Sequence, residues 1–210
     1  LFEGVAPALV TPFTATDELD ESAFRRLIDR QIAGGVQGLV VLGTTGENPT
    51  VTTYERRRLV DLALEQADNR VPVIVGTGTN NTSDSVAFSV EAAQAGADGL
   101  LVVGPSYNRP AQAGFQHHVE AIAEATDCPM ILYNVPGRTS FNIEPATVLA
   151  LAERVPSVVG VKEASGDLAQ ISDILRHRPP SLAVYAGDDE MTLPVMALGG
   201  EGVVSVVSNA

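Results

Sequence analysis

Apolar residues fall along this chain in two alternating patterns. Short runs rich in β-branched residues occupy positions 4–10, 36–42, 71–77, 99–103, 130–133, 158–162, 182–186 and 202–206. Between them, residues 21–33, 53–67, 83–95, 112–125, 144–153, 168–176 and 190–198 carry apolar side chains near i, i+3 and i+4, the spacing of an amphipathic helix. The pattern predicts a repeated βα unit, and with no Pro/Ser-rich linker it predicts one domain over residues 1–210.

Turn chemistry supports the same reading. Gly34-Gly35-Val36-Gln37-Gly38, Ala95-Gly96-Ala97-Asp98-Gly99 and Gly199-Gly200-Glu201-Gly202 each close a predicted helix and lead into a strand. Glycine there supplies the left-handed residue that such a return needs. Eight strands arranged this way point to an α/β fold of the TIM (β/α)8 barrel type rather than an open doubly wound sheet. Such barrels typically have about 250 residues, so this chain is expected to lack the last helix and any C-terminal helical extension.

Composition narrows the function classes. The 210 residues are 45% hydrophobic and 19% charged, which suits a globular domain with one large core. The net charge of −13 argues against nucleic acid and against an anionic membrane surface as partners. One cysteine, Cys128, permits no internal disulfide, and with neither a leader nor a long apolar run in the sequence a soluble, cytoplasmic protein is expected. The acidic balance fits a high-salt cytoplasm, and the preference for arginine fits a high-GC genome as well. Of the 13 basic residues only one, Lys162, is lysine.

Barrel enzymes gather their chemistry at the carboxyl ends of the strands. Those ends here carry Thr11, the run Gly43-Thr44-Thr45-Gly46-Glu47, Tyr107 and Arg109, Tyr133, and Lys162, expected on one face. Lys162 ends the buried run Val158-Val159-Gly160-Val161. Desolvation and nearby guanidinium charge would lower the pKa of such an amine and free it to attack a carbonyl. Arginine cannot replace an imine-forming lysine, so a single lysine in an arginine-using chain favours that role over an ion pair with Glu163.

Tyr133 is a fitting acid/base partner for the amine. Thr44 and Thr45 lie in a turn suited to a carboxylate, and Arg109 and Arg138 can hold a second one. His117, His118 and His177 form no set with metal-ligand spacing, so no metal is expected. The run Gly76-Thr77-Gly78-Thr79-Asn80-Asn81 lacks the last glycine of a dinucleotide fingerprint. Asp188-Asp189-Glu190 is expected to open the last helix, where acidic residues favour the positive end of the dipole.

Four motifs in order, Gly43-Thr44-Thr45-Gly46-Glu47, Tyr107-Asn108-Arg109-Pro110, Tyr133 through Thr139, and Gly160 through Asp167, make the whole chain resemble the dihydrodipicolinate synthase / N-acetylneuraminate lyase family. The resemblance implies a class I aldolase barrel, usually a tetramer of tight dimers, that binds pyruvate as an imine and needs no cofactor. It makes Lys162 the Schiff-base lysine, Tyr133 the phenol that relays protons, and Thr44 the hydroxyl linking Tyr133 to a second tyrosine. That second tyrosine is Tyr107, supplied in the family by a neighbouring subunit. Thr45 matches a residue on the pyruvate carboxylate and Val204 an apolar position against pyruvate, with Gly187 grouped beside them as substrate-binding. Arg138 matches the arginine that receives the carboxylate of aspartate semialdehyde.

The implied reaction condenses pyruvate with aspartate semialdehyde to 4-hydroxy-tetrahydrodipicolinate, on the route to lysine and diaminopimelate. Two other readings stand beside it: a 2-keto-3-deoxy-sugar-acid aldolase of the same family, against which Arg138 speaks, and a non-catalytic barrel that binds a keto acid. One departure stands out. Lysine-inhibited members carry a second aromatic residue where this chain has Ser106, and histidines in the stretch where it has Tyr54 and Arg56. Asn80 and Asp84 remain compatible with the effector site, and weak or absent feedback by lysine is expected.

Overall fold

Helix starts are set by side chains that satisfy otherwise unpaired backbone N–H groups. Asp20 accepts from Ala23 N at the start of α1 (Glu21–Ala33). Thr52 and Glu55 form a reciprocal capping box at α2 (Thr53–Ala67). Asn81 accepts from Ser83 N and starts α3 at Thr82–Ala95, one residue earlier than the pattern predicts. The others are α4 (Gln112–Ala125), a short α5 (Pro136–Thr139) that the periodicity misses, α6 (Pro145–Arg154), α7 (Leu168–His177) and α8 (Thr192–Ala197). The computed structural model describes all of residues 1–210.

The strands are β1 (Gly4–Pro7), β2 (Leu39–Val41), β3 (Val73–Gly76), β4 (Gly99–Val103), β5 (Met130–Asn134), β6 (Val158–Glu163), β7 (Ala183–Ala186) and β8 (Gly202–Ser205). All pairings between named strands are parallel, in the order β1-β8-β7-β6-β5-β4-β3-β2. A single bridge between Ala8 and Val40 joins the two ends of that order. The result is the expected (β/α)8 barrel, with a helix after each of the first seven strands and only a 3-10 turn, Val207–Asn209, after β8.

Side chains alternate across the strands and so build two cores. Ala6, Val40, Ile74, Leu101, Ile131, Tyr133, Tyr185 and Val204 fill the barrel interior. Phe2 stacks on Tyr185 with ring centroids 4.3 Å apart and accepts the tyrosine hydroxyl at 2.8 Å through its carbonyl. Residues of the opposite parity, such as Val41, Val75, Leu132 and Val161, meet the inner faces of the helices in the larger core.

Two local expectations change, and a third feature gains a reason. The predicted helix over 190–198 is a 3-10 turn, Asp189–Met191, followed by α8, because Pro194 has no N–H to offer and is tolerated only in a first turn. The left-handed residue after α1 is Gly35, at φ +86°, while Gly34 stays right-handed. The glycines of the Gly76-Thr77-Gly78 run serve strand packing: a Cβ on Gly76 would lie 2.0 Å from the Leu42 carbonyl, and one on Gly78 2.4 Å from Val103 N.

Candidate active site

Parity along β5 and β6 places the central pair. Tyr133 and Lys162 are register partners whose side chains enter the barrel interior at the carboxyl end of the strands. Lys162 is 4% exposed and its Nζ stands 4.1 Å from the centroid of the Tyr133 ring. It pairs with neither Glu163 nor any other carboxylate, so the ion-pair alternative is not realised.

The electrostatics favour a reactive amine. Burial lowers the Lys162 pKa to about 8, Asp188 and Asp189 pull it back up, and Arg138 pushes it further down. An ordinary lysine near 10.5 is almost wholly protonated at pH 7, so the shift enlarges the neutral fraction roughly 300-fold. Burial raises the Tyr133 phenol, and the Arg138 charge and the Thr44 side chain each oppose that rise.

The first part of the expected acidic helix start works differently. Asp189 accepts from Ser205 Oγ at 2.5 Å and from the N–H groups of Val206 and Val207 at 3.0 and 3.1 Å, tying the β7 end to the β8 end. Sequence reasoning missed its influence on the amine because β7 and β6 adjoin only in the folded sheet.

Thr44 and Thr45 lie in a 3-10 turn, Thr44–Gly46, anchored by the buried Thr11 hydroxyl, which donates to the Gly46 carbonyl at 2.7 Å. Arg138 is exposed on α5 and, with Thr44, lines a cavity of about 490 Å³. That cavity continues past Asn48, Arg56, Asn80 and Ser106. Arg56 is buried, donates to the Gly76 carbonyl at 2.9 Å and to Asn48 Oδ1, and lies 4.2 Å above the Phe88 ring.

Val204 is fully buried in the interior core near the pair. Gly187 donates to the Glu163 carbonyl at 2.8 Å, and a Cβ there would lie 2.5 Å from Ala164 Cβ, so the β6 and β7 ends close against each other. Tyr107 stands in the loop that follows the carboxyl end of β4. It is 91% exposed at φ +67°, and the neighbouring Arg109, at φ +47°, is exposed beside it. Neither lines the cavity.

His118 is buried on α4 with Nδ1 2.9 Å from Thr82 Oγ1, and His177 contacts Asp173 one turn away on α7. The polar residues that the strand-end rule passed over are Asn134 and Glu163, directly after Tyr133 and Lys162. A polar residue on the outer face of a strand with both faces buried is the signal that marks them.

The chain is 72% identical over 210 residues to the 4-hydroxy-tetrahydrodipicolinate synthase of Salinibacter ruber, covering 100% of this chain and 70% of that protein. A crystal structure of a dihydrodipicolinate synthase from Bacillus anthracis matches with a TM-score of 0.97 at 42% identity, over 100% of this chain and 71% of the other. The chloride-inhibited dihydrodipicolinate synthase of Acinetobacter baumannii, solved in complex with pyruvate, matches with a TM-score of 0.97 at 37% identity, over 100% and 72%. The family model described as the dihydrodipicolinate synthetase family matches residues 1–210. With the barrel, the buried amine and these matches in agreement, the chain belongs to the dihydrodipicolinate synthetase family.

Proposed function

We propose that this chain is a pyruvate-dependent class I lyase that condenses pyruvate with aspartate semialdehyde to 4-hydroxy-tetrahydrodipicolinate. The observation that carries the reading is the single lysine of the chain, buried at the barrel mouth against Tyr133 with its pKa drawn down to about 8. The similar proteins from S. ruber and A. baumannii carry the synthase name, and the latter binds pyruvate.

In this reading the neutral Lys162 amine attacks the ketone carbon of pyruvate, and water leaves to give a protonated imine. The imine nitrogen then accepts electrons as a methyl proton departs, producing an enamine. The enamine carbon attacks the aldehyde of the second substrate, and the amino group carried by that substrate then adds to the imine carbon and displaces the Lys162 amine as the ring closes. Tyr133, whose ring the amine faces, is assigned to relay these protons, with Thr44 beside it. Thr45, Gly187 and Val204 are assigned to pyruvate. Arg138, exposed at the cavity, is assigned to the carboxylate of the semialdehyde. No cofactor is required, because the imine nitrogen itself is the electron sink.

We read the active form as a homo-oligomer, a homotetramer built from dimers, in which the outward Tyr107 serves a neighbour's site. A cytoplasmic setting suits a chain whose one thiol, Cys128, leaves it without an internal disulfide. No helix is long and apolar enough to cross a membrane.

The deciding experiment treats the protein with pyruvate and borohydride, maps the added mass, and assays turnover with aspartate semialdehyde against cleavage of 2-keto-3-deoxygluconate. An adduct on Lys162 with turnover of the semialdehyde is expected. Absence of the adduct removes the imine mechanism, and preference for the sugar acid removes the substrate assignment.

A further inference from the structure

Behind the reactive pair lies a buried polar network for which the imine chemistry has no direct use. Glu163 is 1% exposed and pairs with no cationic side chain. Its carboxylate accepts instead from Asn134 Nδ2 at 3.0 and 3.1 Å, from Gln170 Nε2 at 3.1 Å and from Ser165 N at 2.8 Å. Asn134, fully buried, accepts from Ile143 N at 2.9 Å and also donates to Asn142 Oδ1 at 2.8 Å. Asn142 and Gln170 close the circuit, Asn142 Nδ2 donating to Gln170 Oε1 at 2.8 Å.

The placement follows the pleat. Asn134 and Glu163 are register partners one step beyond Tyr133 and Lys162. Alternate residues face opposite sides, so the reactive pair enters the barrel while the network faces the helices. A slip of one residue would exchange the two sets. The ladder between β5 and β6 is irregular at its start, where Met130 pairs Val158 but Ile131 pairs Gly160. Regular pairing from the amino end therefore does not fix the register at the carboxyl end, where the chemistry lies.

We propose that Glu163 is a positioning residue: its carboxylate joins β5, β6 and α7, and fixes the register at which the Lys162 amine meets the Tyr133 ring. Through Asn134 and Ile143 the same network holds the return of the segment that carries Arg138. A buried carboxylate without a cation is costly, and an apolar set of similar volume commonly stabilises as well or better, so the gain lies in geometry. Glu163 is not among the charges that shift the amine, which are Asp188, Asp189 and Arg138. Its influence passes through strand placement.

The inference rests on the imine reading, and trapping of the pyruvate adduct in the unaltered chain tests that reading separately. In Glu163→Gln an amide N–H₂ faces groups that are themselves donors. The expected result is a fall in kcat of about a hundredfold, the scale of an ångström-sized misplacement, with the KM for pyruvate much less affected and the pH midpoint of imine trapping displaced. Adding Asn134→Asp returns an acceptor opposite the new donor and is expected to recover most of the loss. A folded Glu163→Gln with unaltered kcat and pH midpoint, or a double variant no better than the single one, overturns the proposal. If Glu163→Gln does not fold, Gln170→Leu decides, since it deletes one donor from the half-buried rim. A fall in kcat at an unchanged melting temperature supports the proposal, and an unchanged kcat overturns it.

Discussion

Lys162 on β6 and Tyr133 on β5 face each other as register partners, with the amine 4.1 Å from the centre of the phenol ring. An ammonium over an aromatic face is attracted to it, which favours the charged form, while burial opposes it. Burial is the larger effect, and the amine ends with a pKa of about 8.

Imine formation with pyruvate alone should therefore rise about tenfold per pH unit below about 8 and level off above it. Asp188→Asn removes a charge that holds the pKa up, so its midpoint should move to lower pH. Borohydride trapping rates across pH check both statements, and a midpoint near 10 in the unaltered chain counts against them.

Lys162→Met should abolish turnover, a loss on the order of a thousandfold or more for a missing nucleophile, yet stabilise the fold. The folded pKa of about 8 lies below the ordinary 10.5, so the folded chain binds fewer protons than the unfolded one between those values. Stability thus rises with pH through that window, and below about 8 the burial cost of the ammonium is fully present. That cost is about 3 kcal/mol, and removing it should raise the melting temperature at pH 7 by roughly 5 °C or more. Calorimetry at pH 7 and pH 10 checks the sign, since the advantage of the variant should shrink at the higher pH.

Arg138→Ala should leave the pyruvate adduct intact and lower kcat/KM for aspartate semialdehyde by about ten- to a hundredfold, the range for losing a charge-assisted carboxylate contact. Steady-state kinetics with each substrate varied in turn separates the two. An equal loss toward both substrates would argue against the assignment of this arginine.

Millimolar L-lysine is expected to leave the rate nearly unchanged. The cavity continuing from Arg138 is lined by the buried cation Arg56, which has no carboxylate partner, and by Ser106 in place of an aromatic surface. A second cation entering there meets repulsion, and the one aromatic ring in the lining, Phe88, is already covered by Arg56. Micromolar inhibition overturns this expectation.

The helices were legible because their periodicity is local: α1, α2 and α4 begin and end where the pattern of apolar residues places them, and side-chain caps fix the starts of α1 and α2. Strands were blurred at their edges. Val36 reads as strand by its side chain, but its N–H turns back to the Gln31 carbonyl to finish α1. Lys162 and Tyr133 were legible as unusual residues ending apolar runs. Asp189 was not, because its partners Ser205, Val206 and Val207 are brought to it only by the pairing of β7 with β8. The Asn134–Glu163 pairing was hidden for a similar reason: each lies beside a conspicuous residue, and only the register shows that they meet.

The solitary lysine also governs how this protein responds to reagents. Within residues 1–210 the one side-chain amine is shielded at the barrel mouth, and the exposed side chains of these residues include no lysine. Acylating esters and dialdehyde cross-linkers will therefore find no exposed lysine to join on the surface of these 210 residues. Pyruvate, by occupying that amine, should protect the chain from its one side-chain modification by such reagents. Assemblies of this chain are better captured through its abundant carboxylates, and an amine-selective probe becomes a direct titrant of the reactive site.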